Sequence, residues 1–235
     1  MAKLINNYYK NSKNMYWLLG SSIGRKFVMS ISGVFLVLFL LLHMSMNLVL
    51  IFSTKAYDKI CGVLGANWYA VVATLILTGG FSIHIAYGTL LTFHNMRARG
   101  IGNYEIPNET KIEWASKNMF VLGLIVILGL IIHLWNFWYK MQFAELFQSG
   151  ITVKEGSRLV ISLFSSPIFS FTYILWLVAL WFHLTHGIWS IFQTLGWNNK
   201  KWFPRLRFIS NIVSTIIMIG FAVVPIYFTI YTLIK

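Results

Sequence analysis

The sequence has little cysteine and few acidic residues. One cysteine, Cys61, occurs among 235 residues. A single thiol excludes an internal disulfide and a self-contained iron–sulfur cluster, because each needs more than one cysteine. Only six residues are Asp or Glu, and all six fall in predicted loops. The predicted transmembrane helices therefore contain no carboxylates, which argues against a carboxylate proton path through them. Asp58, in the first outer loop, is the only acidic candidate near span one.

Apolar residues, in contrast, are abundant: 57% of the chain is hydrophobic and 17% is aromatic. These fractions lie far above those of soluble domains. A helix of about 20 apolar residues crosses a hydrocarbon core of about 30 Å. The sequence therefore predicts an all-α membrane protein, a single domain of residues 1–235 whose five transmembrane helices form a bundle. The predicted spans are residues 27–52, 68–93, 118–139, 167–195 and 208–234.

The basic residues predict the orientation of this bundle. The chain has 19 Lys and Arg and a net charge of +13, and most of these cations fall on the side where the chain begins. Positive residues concentrate on the cytoplasmic side of membrane proteins, so the N-terminus is expected in the cytoplasm. This topology accounts for the charge without a nucleic-acid partner. The cations on that side are Lys3, Lys10, Lys13, Arg25, Lys26, Arg97, Arg99, Lys111, Lys117, Lys200, Lys201, Arg205 and Arg207.

Three segments outside the spans have predicted roles. Residues 1–26 are polar with interspersed aromatics, which is typical of a surface segment at the lipid interface. The loop at residues 95–118 has mixed charge and is predicted to be a docking surface. Residues 141–150, which end in a glycine, have the pattern of a short interfacial helix on the outer side.

Apart from tyrosine, which is neutral at physiological pH, histidine is the only ionisable residue type inside the predicted spans. Spans one to four each hold at least one, and span five holds none. An ionisable group in a membrane interior is costly and is a functional candidate by default. At about 1.5 Å per residue, His43 and His133 lie about 22–24 Å from the cytoplasmic ends of their spans, and His84 and His183 about 14–18 Å. The depths favour an outer pair, His43 with His133, and an inner pair, His84 with His183.

Small residues flank these histidines at helical spacing. Gly80 and Gly88 bracket His84, Gly129 precedes His133, and Gly187 follows His183 by one turn. Such glycines either leave room for a wide, flat group or allow close helix packing. Two imidazoles are too few ligands for zinc or copper. Haem iron needs only two axial ligands, so each pair can hold one haem.

The single cysteine also excludes a C-x-x-C-H attachment, so these haems would be b-type, bound without covalent links. Two histidine ligands leave the iron no open coordination position. The predicted chemistry is therefore electron transfer rather than oxygen binding.

Four sequence segments carry a resemblance to a known family. They are "FLLLHMSMN" (39–47), "SIHIAYG" (82–88), "LIIHLW" (130–135) and the long segment 164–197, which contains "FHLTHGIWS". They resemble the five-helix, di-haem cytochrome b anchor of succinate dehydrogenases and fumarate reductases, in order over all five spans. The most specific parts are H-x-x-x-N, H-x-x-Y-G, S-S-P and F-H-x-x-x-G-x-W-S.

The resemblance implies a role in a larger complex. His43 and His133 would be the axial ligands of the outer haem, and His84 and His183 those of the inner haem. The partners would be a flavoprotein that interconverts succinate and fumarate and an iron–sulfur protein on the cytoplasmic surface. Electrons would pass through both haems to or from a membrane quinone, expected to be menaquinone. The location would be the bacterial cytoplasmic membrane.

Other residues have predicted supporting roles or stay ambiguous. His186 is expected to form a hydrogen bond near the inner haem edge, with axial ligation as the alternative. Arg25 lies where a haem propionate can be paired, although topology alone also explains it. Asn47 can bond a quinone, a haem edge or another helix, and so can Asn136. The remaining members of the predicted site are Gly88 and Gly187, which make room for the inner porphyrin.

Two other functions remain open from the sequence. A di-haem cytochrome b can serve a hydrogenase or a formate dehydrogenase with the same histidines. Alternatively, a proton-coupled transporter can use histidines as relays. Inverted repeats and carboxylate partners are typical of transporters, and the sequence contains neither.

Overall fold

The computed structural model describes residues 20–65, 68–99, 114–142, 155–197 and 199–235. These residues contain no strand, and five of their helices are long and apolar enough to cross a membrane. The prediction of an all-α membrane protein with five spans is therefore confirmed. Spans one to five are α1 (Ser22–Phe52), α3 (Trp68–Arg99), α5 (Met119–His133) with a π-helical continuation (Leu134–Tyr139), α8 (Pro167–Thr194) and α9 (Trp202–Ile234).

Three of the spanning helices, those of spans one, two and five, are longer than the apolar runs in the sequence. Span one begins at Ser22, span two ends at Arg99 and span five begins at Trp202. An apolar run measures the hydrocarbon crossing, whereas the helix continues into polar surroundings as long as its backbone hydrogen bonds can form. The Ser21 hydroxyl caps the N-terminal end of span one by accepting a hydrogen bond from the amide of Gly24 at 2.9 Å.

Four shorter helices connect or extend the spans. They are α2 (Thr54–Gly65), α4 (Trp114–Lys117), α6 (Lys140–Gln142) and α7 (Gly156–Phe164). Asp58, predicted in a loop, lies on α2 and joins it to α7. Its carboxylate accepts hydrogen bonds from the amide of Ser157 at 2.7 Å and from the Ser157 hydroxyl at 2.8 Å. A carboxylate is favoured there because the first turn of a helix has unpaired amides and a positive dipole end.

Spans four and five form the best-packed part of the bundle. Ile217, Ser210 and Ser214 of span five have no exposed surface. The Ser210 hydroxyl donates to the carbonyl of Thr185 at 2.8 Å, and the Trp181 indole donates to Thr215 at 3.0 Å. Small residues allow two helices to approach closely, and hydroxyls bond across the interface. This interface between spans four and five stabilises the bundle on the side away from span two.

Spans two and three are packed more openly. Span one contacts spans two, four and five, and span four contacts spans one, three and five. Span two packs mainly on span one, and its apolar side chains stay largely exposed on the outside of the bundle. The space enclosed between these helices contains the candidate site.

Parts of three predictions lie outside the described residues. They are residues 1–19 of the predicted surface segment, residues 100–113 of the predicted docking loop and residues 143–150 of the predicted interfacial helix. These parts of the predictions stay predictions.

Candidate functional site

A large cavity runs through the middle of the bundle. Its volume is about 2080 Å³, and residues of all five spans line it. A pocket for one small molecule is about 300–1,000 Å³, so this space is large enough for two such groups. All four predicted ligand histidines line the cavity, together with His186. Residues of α2 and α7 close one end of it, including Tyr57, Cys61 and Phe164.

The outer pair lies among aromatic rings. The ring centres of His43 and His133 are 5.8 Å apart, with the two ring planes at 89°. Rings from spans one, three, four and five surround the two imidazoles. Those against His43 are Phe39 at 5.3 Å and Phe221 at 5.7 Å, and those against His133 are Phe137 at 5.1 Å, Trp176 at 5.8 Å and Tyr173 at 6.2 Å.

The inner pair lies in smaller and more polar surroundings. The ring centres of His84 and His183 are 6.3 Å apart, with the ring planes at 65°. Ser32 of span one places its hydroxyl 3.2 Å from Nδ1 of His84. Two glycines on other helices face the imidazoles, since a methyl group added at Gly33 would lie 3.7 Å from His84 and one at Gly123 would lie 3.8 Å from His183.

The glycines chosen from the sequence have two different roles. A methyl group at Gly80 would overlap the ring of Phe35, and one at Gly129 would overlap the indole of Trp176. The interpretation that these two leave room for a flat group is wrong, because aromatic rings of neighbouring helices already fill the space. Gly88 and Gly187 line the cavity. There an added methyl would meet only the ends of flexible methionine side chains, at 3.4 and 3.9 Å.

The two pairs fit a metal that brings its own additional ligands. Among the described residues no group of three or more His, Cys, Asp or Glu side chains can hold a metal ion. None of the described residues that line the cavity is acidic. A metal held between two imidazoles at bonds of about 2 Å places the ring centres about 6 Å apart, which matches 5.8 and 6.3 Å. Haem iron satisfies this need because the porphyrin supplies its equatorial ligands.

Two of the candidate ligands have a buried ring nitrogen without a partner among the described residues. The Nδ1 atoms of His133 and His183 are buried without a hydrogen-bond partner in the described part of the chain. Leaving a buried polar atom unpaired costs about 1–3 kcal/mol. A metal bound at Nε2 would leave these atoms unpaired, so this cost is independent of a bound haem.

The two asparagines proposed as quinone or haem contacts already have partners. The Asn47 amide donates to the carbonyl of His43, one turn back in the same helix, at 2.8 Å. Asn136 is buried and lies in the π-helical segment beyond His133, where it donates to the hydroxyl of Tyr173 at 3.3 Å. Asn136 therefore forms a hydrogen bond between two helices. Asn47 lines the cavity, but its amide is bonded to the backbone of its own helix.

The basic side chains that line the inner end of the cavity differ from the predicted ones. Arg25 lies in the first turn of span one and is not among the residues lining the cavity. His94 lies near the end of the helix of span two, is exposed and does not line the cavity. His186 lines the cavity, and its ring packs edge-on against Trp189 at 5.0 Å. Lys117 is the one Lys or Arg among the described lining residues.

Sequence reasoning missed Lys117, Ser32, Gly33 and Gly123 as members of this site. Lys117 was counted only toward topology, and a serine in an apolar helix carries no signal of its own. Gly33 and Gly123 lie on helices other than that of the histidine they face. Spacing along one helix therefore could not find them.

No model of a known protein family, no curated protein and no solved structure matches this chain.

Proposed function

We propose that this chain is the di-haem cytochrome b membrane anchor of a succinate dehydrogenase or fumarate reductase. It would carry electrons between an iron–sulfur subunit and a membrane quinone, expected to be menaquinone. The observation that carries this proposal is the set of two histidine pairs, from four spans, in one cavity. The assignment to succinate and fumarate chemistry rests on the sequence motifs around the histidines.

The chain's own residues would hold and separate two haems. His43 and His133 would be the axial ligands of one, and His84 and His183 those of the other. Each haem, when bound, supplies reversible one-electron chemistry, and two histidine ligands exclude substrates from the iron. The lining is largely aromatic and aliphatic, and such a lining would keep water from the groups and favour electron transfer over side reactions. Lys117 is available to pair with a propionate at the inner end.

The orientation and the partners belong to the same proposal. The excess of Lys and Arg on the N-terminal side favours a cytoplasmic N-terminus in a bacterial cytoplasmic membrane. The inner pair would then face a cytoplasmic iron–sulfur subunit and its flavoprotein, and the outer pair would face the quinone. The basic surface residues would contact lipid headgroups and partner subunits rather than nucleic acid.

The haem content of the isolated complex tests this proposal. A reduced-minus-oxidised spectrum of complex extracted in mild detergent is expected to show b-type haem at two per chain. His43→Ala and His84→Ala are each expected to lose one haem and to keep the other. His94→Ala is the matched control and should keep both, because His94 is exposed and outside the cavity lining. A well-folded wild-type chain without haem would refute the proposal.

The co-purifying subunits separate the related alternative. A flavoprotein and an iron–sulfur protein support succinate or fumarate chemistry. A nickel or molybdenum protein would instead assign the chain to a hydrogenase or a formate dehydrogenase. A proton-relay transporter receives no support from the described lining residues, since none of them is a carboxylate.

A further inference from the structure

Ser32 of span one contacts the inner pair in a specific way. Its side chain is buried, with 7% of the residue exposed. Its hydroxyl donates to the carbonyl of Met29 in the same helix at 3.0 Å. The same oxygen lies 3.2 Å from Nδ1 of His84 in span two. One hydroxyl therefore connects the backbone of span one to a candidate ligand on another helix.

This geometry selects one tautomer of His84. A hydroxyl has a single hydrogen, and Ser32 uses it toward the Met29 carbonyl, so its oxygen accepts from the imidazole. The Nδ1 atom of His84 must then carry the ring hydrogen. A neutral imidazole has only one such hydrogen, which leaves the Nε2 atom with a free lone pair. A lone pair on Nε2 is what a metal ion requires of a histidine ligand.

We propose that Ser32 is a positioning residue that holds His84 in the ligating tautomer and makes it the more electron-rich ligand of the inner pair. This inference rests on the proposed function, because it concerns the haem that His84 would bind. The other ligand of that pair differs, since Nδ1 of His183 has no hydrogen-bond partner among the described residues. Among the described residues, His84 is the one candidate ligand of the four whose ring has a side-chain hydrogen-bond partner. The effect is therefore confined to His84.

The direction of the effect follows from the hydrogen bond. An acceptor at Nδ1–H raises the basicity of the imidazole, and a more basic ligand stabilises oxidised iron. Removing the acceptor is expected to raise the reduction potential of the inner haem and to leave the outer haem unchanged. Such partners of metal ligands typically change metal affinity about 10–100-fold, so inner haem retention should also fall.

Three variants in the full complex test the inference. Ser32→Ala removes the acceptor, and Ser32→Thr keeps a hydroxyl at the same position. Ser45→Ala is the matched control, because Ser45 lies on the same span, donates its hydroxyl to a backbone carbonyl in the same way (that of Leu41, at 2.8 Å) and does not line the cavity. The measurements are a redox titration of each haem and haem retention on dilution.

The expected result is a raised potential and weaker retention of the inner haem in Ser32→Ala only. Ser32→Thr should restore both to wild-type values. If Ser32→Ala loses the inner haem entirely, rescue by Ser32→Thr still supports the inference. Loss in both variants, an unchanged potential in Ser32→Ala, or the same shift in Ser45→Ala would overturn it. A wild-type chain without haem is a separate result, which refutes the proposed function itself.

A second measurement does not depend on haem. Nitrogen NMR of chain labelled at histidine and prepared without haem reports which ring nitrogen carries the hydrogen. His84, assigned by its loss in His84→Ala, is expected to carry it on Nδ1 in the wild type and in Ser32→Thr. The Ser32→Ala variant should shift that population toward Nε2. An Nε2-protonated His84 in the wild type would overturn the inference.

Discussion

The outer and inner histidine pairs are held by different forces. The outer imidazoles are fixed by packing, with aromatic rings from four spans around them. The inner imidazoles face glycines, which leave space around them, and a serine hydroxyl. The hydrogen bond between that hydroxyl and His84, rather than packing, is therefore the main contact that orients the inner pair. The outer site should therefore respond to changes of ring volume, whereas the inner site should respond to loss of a single polar contact.

Removal of the Trp176 indole should produce the largest difference between the outer and the inner site. This ring lies 5.8 Å from His133, fills the space above Gly129 and donates to the carbonyl of Val126 at 3.1 Å. Trp176→Ala is expected to lower the free energy of unfolding by about 3 kcal/mol, the lower end of the range for buried aromatics, because the indole is only partly buried. Haem spectra and thermal unfolding in detergent should show loss of the outer haem with the inner one retained.

A second tryptophan serves as the control for that experiment. Trp135 lies on the same side of the bundle but is 59% exposed, and it stacks on Tyr139. Trp135→Ala should leave both haems in place. Equal loss of the two haems in Trp176→Ala would show that the two sites do not depend on separate packing.

Two glycines of span three provide a matched pair for the next prediction. A methyl group at Gly129 would overlap the Trp176 indole, whereas one at Gly123 would be in ordinary contact with His183. Gly129→Ala is expected to destabilise the outer site by about 1–3 kcal/mol through overpacking. Gly123→Ala should be neutral or slightly stabilising for the helix. The measurement is the thermal unfolding midpoint, and a larger loss in Gly123→Ala would contradict the assignment of these contacts.

The link between α2 and α7 should have a smaller effect, limited to the outer end. Asp58→Asn removes the charge and one acceptor for Ser157, a change expected to cost about 1 kcal/mol. The measurement is maleimide labelling of buried Cys61, which lies on α2 against Gly156 of α7. A rise of about fivefold is expected if labelling requires local opening. Lys59→Gln, which alters the exposed neighbour, should not change the rate.

The pH dependence of the same labelling reaction is the mildest test. Burial raises the pKa of the Cys61 thiol to about 11, and only the thiolate reacts with maleimide. The rate should therefore keep rising about tenfold per pH unit from pH 8 to 10. An ordinary thiol, with a pKa of about 8.5, would level off in that interval. A plateau near pH 9 would mean that Cys61 is in contact with water and that the outer end is open.

Much of the architecture could be predicted because the membrane imposes strong local rules. Apolar runs of sufficient length have no alternative to a helix in lipid, so the five spans were predictable residue by residue except at their ends. Asp58 shows where this logic fails: a polar, charged segment between two spans was predicted to be a loop, yet residues Thr54–Gly65 form a helix. Its position depends on a contact with α7, which is remote in sequence.

The candidate site was predictable in its residue types and less so in its surroundings. The predicted pairs His43 with His133 and His84 with His183 lie beside each other in the structure, while their role as ligands stays a prediction. Gly129 illustrates the limit. Its spacing from His133 on one helix left open whether it makes room for a flat group or allows close packing, and an indole from span four occupies that space.

The sequence by itself determined that the chain forms five apolar helices and that four of them contain a histidine. Both properties follow from composition along a single helix, where hydropathy and the cost of an ionisable group in lipid are decisive. Only the tertiary structure decided that rings enclose the outer pair and that Ser32 contacts His84. Those contacts join residues of different helices, and packing between helices in a membrane depends on shape and hydrogen bonds rather than on hydropathy.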